Sequence, residues 1–100
     1  MNKYEGLFIL KPNLNKDELE KASSAIVDVI VKNGGVVENK EDMGLRQLAY
    51  EIKKENQGHY LLIYFMAGPK AISDMEKLYK LHELILRIQL FKRDTAGATL

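Results

Sequence analysis

The residues of this chain that could carry a function are cationic and aromatic, and residues of these two types suit RNA binding. RNA binding requires cations that meet phosphates and flat side chains that meet bases. The candidates of these two types are Lys3, Tyr4, Arg46, Arg87, Phe91, Lys92 and Arg93. Surface solvation explains the arginines and Lys92 equally well. Sheet packing is the simpler interpretation of Tyr4, Tyr50 and Tyr64.

Residues that could support catalysis are few. The two histidines, His59 and His82, have no serine or acid at recognisable triad spacing, and the chain has no cysteine. Its carboxylates lack the spacing of a dedicated cation site. Acyl-phosphate hydrolysis needs a glycine-rich loop with an arginine after the first strand, and this loop has Lys11 and no glycine. We therefore expect no catalytic residue, metal ion, cofactor or small-molecule substrate.

Length and composition favour one domain. The chain has 100 residues, an apolar content of 46% and a formal net charge of +1, which is enough apolar material for a single core. We expect residues 1–93 to form that domain and residues 94–100 to be a disordered tail. The apolar run before Lys11 is too short to span a bilayer, so we expect a soluble, intracellular protein with no membrane partner.

The first half of the chain predicts a strand, a helix and a second strand. Residues 3–10 alternate as a strand does, and Asn15 with Glu18 has the spacing of a helix capping box. Apolar residues then recur at helical spacing until Gly34-Gly35, a strong helix stop. The second strand runs from Val36 to Ile52, and its length predicts a bulge at Gly44.

The second half predicts a hairpin, a helix and a final strand. Residues 54–58 form the predicted turn, with Gly58 in a conformation that most residues avoid, and residues 60–67 form the third strand. A helix opens at Gly68-Pro69. Its predicted inward stripe is Ile72, Met75, Leu78 and Tyr79. His82-Glu83 lies in the following loop, and residues 85–92 form the fourth strand.

This order of elements is β-α-β-β-α-β. Right-handed crossovers then place both helices on the same side of the strands. The predicted fold is α+β, a ferredoxin-like sandwich in which a four-stranded antiparallel sheet carries two helices on one face. The other face stays open, and we expect function there, on the sheet edges or in the loops.

Several segments together resemble one family. They are Tyr4-Glu5, the stretch 11–14 (KPNL), the stretch 44–52 (GLRQLAYEI), Gly58 with Tyr60, and the strand that carries Leu86-Arg87 and Phe91-Lys92. In this order they resemble the bacterial ribosomal protein six of the small subunit over about residues 1–93. The resemblance implies a non-enzymatic, cytoplasmic component of the small ribosomal subunit.

The resemblance also implies partners. They are the central domain of 16S ribosomal RNA and small-subunit ribosomal protein eighteen, with which the family forms a heterodimer. The residues expected to meet RNA phosphates are Lys3, Arg46, Arg87, Lys92 and Arg93, and those expected to dock the partner protein are Phe91 and Gln89. Leu86 stands where a second cation beside Arg87 is expected.

Two other functions fit the same sequence. One is a ferredoxin-like small-ligand-binding or regulatory module, which predicts self-association and a thermal shift with small molecules. The other is a hydrolase dependent on His59 or His82, which the absence of a recognisable nucleophile disfavours.

Overall fold

The computed structural model describes residues 1–93, so the predicted disordered tail at residues 94–100 lies outside the described residues. The elements are β1 (Asn2–Leu10), α1 (Lys16–Lys32), β2 (Val36–Ile52), β3 (Glu55–Ala67), α2 (Ala71–Lys80) and β4 (Ile85–Arg93). The strands pair antiparallel in the order β2-β3-β1-β4. The predicted ferredoxin-like sandwich is confirmed. Over residues 1–93, neither helix is both long and apolar enough to cross a membrane.

One face of the sheet packs against both helices and forms the main core. Its fully buried large side chains are Phe8, Leu10, Ile26, Ile30, Ile63, Phe65, Met75 and Tyr79. The Tyr79 hydroxyl joins the two helices, because it donates a hydrogen bond of 2.7 Å to the Ile26 carbonyl oxygen. Burial raises the pKa of this phenol well above its usual value. Both helices therefore cover the same face of the sheet, and the opposite face carries none of the helices within residues 1–93.

The predicted ends of α1 are confirmed. The Glu18 backbone N–H donates to the Asn15 side-chain oxygen at 2.8 Å, and the Asn15 N–H donates to the Glu18 carboxylate at 3.1 Å. These reciprocal bonds satisfy two donors that the first helical turn leaves free. At the other end, the Gly35 N–H donates to the Ile30 carbonyl oxygen at 2.8 Å.

The predicted bulge in β2 is also present. The pairing with β3 shifts between Asp42 and Gly44, and Gly44 has φ +79°. The Asp42 carboxylate accepts a hydrogen bond of 2.9 Å from the Gly44 N–H and fixes the bulge. The pairing also shifts between Val37 and Asn39, so that Glu38 has no paired residue on β3.

The predicted hairpin turn at residues 54–58 is wrong. The turn consists of Lys53 and Lys54, at φ 51° and 68°, between the paired residues Ile52 and Glu55. Gly58 lies inside β3 and does not have a positive φ. A Cβ atom there would lie 2.4 Å from Ile9 Cγ2, so close packing of neighbouring strands explains this glycine.

Helix α2 differs from its prediction in two details. It begins at Ala71, two residues after Pro69, which lies in the preceding turn. Met75 and Tyr79 are buried, whereas Leu78 is exposed. Tyr79 follows Met75 by four positions, close to one helical turn, so the two share a buried stripe and Leu78 lies beyond its edge.

Candidate nucleic-acid interface

The sheet surface opposite the helices is the candidate interface, and we call it the open face. Alternation along each strand directs every second side chain to it. Its members are Lys3, Glu5, Leu7 and Ile9 of β1, Tyr60, Leu62, Tyr64 and Met66 of β3, and Arg87, Gln89, Phe91 and Arg93 of β4. This surface mixes apolar, aromatic and cationic side chains. It therefore offers contacts for both a protein and a nucleic acid.

One end of the open face carries an ionic cluster. Glu38 of β2 lies 3.8 Å from the Lys3 ammonium and 3.8 Å from the Arg93 guanidinium. Arg93 also lies over the Tyr64 ring, with its guanidinium carbon 5.0 Å from the ring centroid. One carboxylate thus compensates part of the charge of two predicted RNA-binding cations.

Tyr64 remains protonated in this cluster at neutral pH. Desolvation raises the pKa of its phenol, the carboxylates of Glu41 and Glu5 raise the pKa further, and Arg93 partly opposes them. A neutral ring keeps the electron-rich face that attracts the Arg93 guanidinium.

The other end of the open face is bounded by the β2–β3 hairpin. A small second core forms there from Ile9, Leu48 and Leu86, with Ile52 and Tyr60 packed against it. Arg87 donates a hydrogen bond to the Tyr50 hydroxyl, and its guanidinium carbon lies 5.9 Å from the Tyr50 ring centroid. Tyr50 therefore holds Arg87 in place without cancelling its charge.

The predicted partner-docking residues lie between these two ends. Gln89 faces Leu7 across the β1–β4 pair, and Phe91 faces Glu5. The Phe91 side chain is 51% exposed although it is a large apolar group. Water contact at this ring is unfavourable, and a protein that covers it would gain apolar burial.

The structure brings together some of the predicted cations and separates others. Lys3, Arg87 and Arg93 lie on the open face. Lys92 faces Tyr4 and shares the other side of β4, where it is exposed beyond the core. Arg46 lies on the edge strand β2, and its Nε donates to the Met43 carbonyl oxygen at 3.4 Å.

Two β2 residues that contact the open face, Tyr50 and Glu38, were not predicted from the sequence to do so. Tyr4 is buried as expected, but the interpretation of Tyr50 as a packing residue is wrong, because Tyr50 is 60% exposed and holds Arg87. Glu38 contacts the cations of Lys3 and Arg93. Its ion pairs span three strands, and no local pattern in the sequence reports such a pairing.

The histidines make local structural contacts. His59 Nε2 lies 2.5 Å from the Asp42 carboxylate, the same group that fixes the β2 bulge. His82 Nδ1 accepts a hydrogen bond of 3.2 Å from the Leu84 N–H in the turn before β4.

The fold and the open face together define a ferredoxin-like α+β protein in which both helices pack on one face of the sheet. Comparison with known proteins gives the family. The sequence model of the family described as Ribosomal protein S6 matches residues 3–92. The chain belongs to the Ribosomal protein S6 family.

Individual relatives agree with this assignment. The chain is 44% identical to small ribosomal subunit protein bS6 of Helicobacter acinonychis, over 95% of this chain and 67% of that protein. It is 45% identical to the bS6 protein of Helicobacter hepaticus, over 95% and 69% of the two chains. The crystal structure of 30S ribosomal protein S6 from Thermotoga maritima matches with a TM-score of 0.88 at 33% identity, and the match covers 98% of this chain and 92% of that one.

A second solved structure shares the fold alone. The C-terminal domain of the MgtC protein from Mycobacterium tuberculosis matches with a TM-score of 0.58 at 14% identity. The scaffold therefore occurs outside ribosomal proteins, and function must be argued from the surface and the family.

Membership of this family makes the chain a structural component of the small ribosomal subunit and not an enzyme. It works in translation as part of a ribonucleoprotein in the cytoplasm.

Proposed function

We propose that this chain binds the central domain of 16S ribosomal RNA as a heterodimer with small-subunit ribosomal protein eighteen. The open face is the observation that carries the proposal. It is a sheet surface that the two helices leave uncovered, and it combines guanidinium groups with half-exposed aromatic and aliphatic side chains.

The RNA contacts are assigned to Lys3, Arg46, Arg87, Lys92 and Arg93. Three of them lie on the open face, and the other two lie on the edge strands β2 and β4. Contacts of this kind bind phosphates and fix position without reading bases. Recognition would then depend on the shape of a folded RNA junction.

The protein contacts are assigned to Phe91 and Gln89. Phe91 is a large exposed ring near the middle of the β4 row of the open face, and Gln89 beside it carries both a donor and an acceptor. An exposed aromatic residue next to polar groups is the usual composition of a protein interface.

The charge of the chain supports a joint RNA-binding mode. A net charge of +1 gives little attraction to a polyanion by itself. A basic partner protein would supply further phosphate neutralisation, so the heterodimer should bind RNA more strongly than this chain alone.

Cosedimentation tests the proposal. The full chain is mixed with 16S ribosomal RNA, with and without ribosomal protein eighteen, and the pellet is washed at high salt. We expect the chain to remain in the pellet when both partners are present, and to be lost when ribosomal protein eighteen is omitted. Equal retention with and without the partner, or loss in both cases, would refute the heterodimer as the RNA-binding unit.

A further inference from the structure

A cationic cleft lies beside the open face, at the outer edge of the sheet. It has a volume of about 330 Å³ and forms where the hairpin turn, the end of α2 and the start of β4 meet. Its lining residues are Lys53, Lys80, Ile85, Leu86, Arg87 and Ile88. We call it the edge cleft.

The lining of the edge cleft is positively charged. Its three cations come from the hairpin turn, α2 and β4, and no carboxylate among residues 1–93 lines it. Within residues 1–93, none of these cations forms a salt bridge, whereas Lys3 and Arg93 share Glu38. Three neighbouring positive charges repel one another, and a bound anion would relieve that repulsion.

Lys53 occupies a position that lysine does not favour. Both residues of the two-residue hairpin turn have positive φ, a geometry in which asparagine and glycine are preferred. The turn therefore carries cations at a conformational cost, which points to a use for the charge. Lys80 needs no such explanation, since a cation in the last turn of a helix also interacts favourably with the helix dipole.

The floor and one wall of the edge cleft are ordered. Ile85 and Leu86 are buried and close its bottom. Arg87 is already held by Tyr50, so little conformational freedom is lost when its guanidinium meets an anion. Leu86, which replaces an expected cation, thus contributes to the floor and to the second core.

We propose that the edge cleft binds a phosphate group of the ribosomal RNA backbone, held by Lys53, Lys80 and Arg87. This inference rests on the proposed function. Arg87 also lines the shallow pocket of about 160 Å³ on the open face, so the cleft continues the surface assigned to RNA. The planar guanidinium matches two phosphate oxygens, and the two ammonium groups supply point charges around them.

A charge-matched pair of double variants tests this site. Lys53→Asn with Lys80→Gln removes two cleft cations, and asparagine tolerates the positive φ of the turn. Lys54→Asn with Lys77→Gln removes two cations from the same turn and the same last helical turn, outside the cleft. RNA affinity is measured for each full-length protein, with ribosomal protein eighteen and 16S ribosomal RNA, over a series of KCl concentrations.

The expected result is a difference in salt dependence. The slope of log affinity against log salt is negative. The cleft variant should reduce its magnitude by about 1.4 to 1.8 units, as expected for two lost phosphate contacts, and the control should keep the wild-type slope. Equal slopes for the two double variants would overturn the edge cleft as a phosphate site.

Two further outcomes separate the possible failures. In the first, the cleft variant loses affinity for ribosomal protein eighteen in the absence of RNA, and its slope of log RNA affinity against log salt is unchanged. The cleft then holds an acidic protein segment, and the proposal is wrong. In the second, the wild-type heterodimer does not bind the RNA at all, and the proposed function itself is wrong.

Discussion

At the scale of single residues, the cations of the open face differ in how far their charge is available. Lys3 and Arg93 lie 3.8 Å from the same carboxylate, that of Glu38. Arg87 contacts a neutral phenol instead, which orients the guanidinium, and no carboxylate within residues 1–93 forms a salt bridge with it. We therefore expect Arg87 to contribute more to RNA affinity than either cation of the Glu38 cluster.

Substitution of Arg87 tests whether this residue contacts RNA. Arg87→Ala should reduce the magnitude of the negative slope of log affinity against log salt by about 0.7 to 0.9 units, as for one lost phosphate contact. The measurement is a salt titration of the heterodimer with 16S ribosomal RNA. Lys32→Ala is the control, because Lys32 lies in the last turn of α1 and the same unit of charge is removed. Indistinguishable slopes for the two variants would remove Arg87 from the RNA-binding set.

Tyr79 gives a pH-dependent contribution to stability. Its pKa is raised in the folded protein, whereas an unfolded tyrosine titrates at pH ~10. Above that pH the unfolded state loses a proton that the folded state keeps. The contribution of Tyr79 to the free energy of unfolding therefore falls as pH rises, by at most about 1.4 kcal/mol per pH unit.

Tyr79→Phe isolates this effect. At neutral pH the variant should be less stable by about 1 kcal/mol, because the hydroxyl bond to the Ile26 carbonyl oxygen is lost. Urea unfolding of both proteins between about pH 9 and 11 should show this stability gap shrinking as pH rises. Titration of lysines is common to both proteins and cancels in the difference. A gap that stays constant with pH would contradict the account.

At the scale of elements, the sequence was sufficient for the order of strands and helices but not for the geometry of the hairpin. Apolar periodicity predicted each element, and Asn15 and Gly44 carried local signals that the structure confirms. The hairpin turn was misplaced because Gly58 resembles a turn residue. Glycine is needed at position 58 because Ile9 of the neighbouring strand lies so close. That contact depends on strand pairing, which the sequence pattern does not report.

Gly58→Ala tests that interpretation. A Cβ atom would lie 2.4 Å from Ile9 Cγ2 and 3.3 Å from the Leu10 carbonyl oxygen. We expect a loss of ~1–3 kcal/mol in the free energy of unfolding, as for overpacked cores. Gly68→Ala is the control, since no atom of residues 1–93 lies within 4 Å of the added carbon, and it should change stability by less than about 1 kcal/mol. Urea denaturation midpoints that agree for the two variants would show that Gly58 is not required for packing.

The candidate site was only partly predictable for a related reason. Alternation along β4 places Arg87, Gln89 and Phe91 on one face and Lys92 on the other. Contacts that join distant strands were missed. Glu38 with Arg93, and Tyr50 with Arg87, are separated by tens of residues and meet only after the sheet has formed.

At the scale of the whole molecule, the two faces of the sheet have different roles. One face is used for the core with both helices, and the other stays open although large apolar side chains lie on it or at its edge. Assembly into the small ribosomal subunit should cover the open face and leave the outer surfaces of the helices accessible.

Hydroxyl-radical footprinting of the side chains tests this claim most directly. Phe91 lies on the open face and Tyr50 contacts its Arg87, whereas Val31 and Leu78 lie on the helices, and all four are about half exposed in the free chain. Oxidation is compared between the free chain and assembled small subunits. We expect strong protection of Tyr50 and Phe91 and little change at Val31 and Leu78. Protection of the helix residues, with the open-face residues still oxidised, would contradict it.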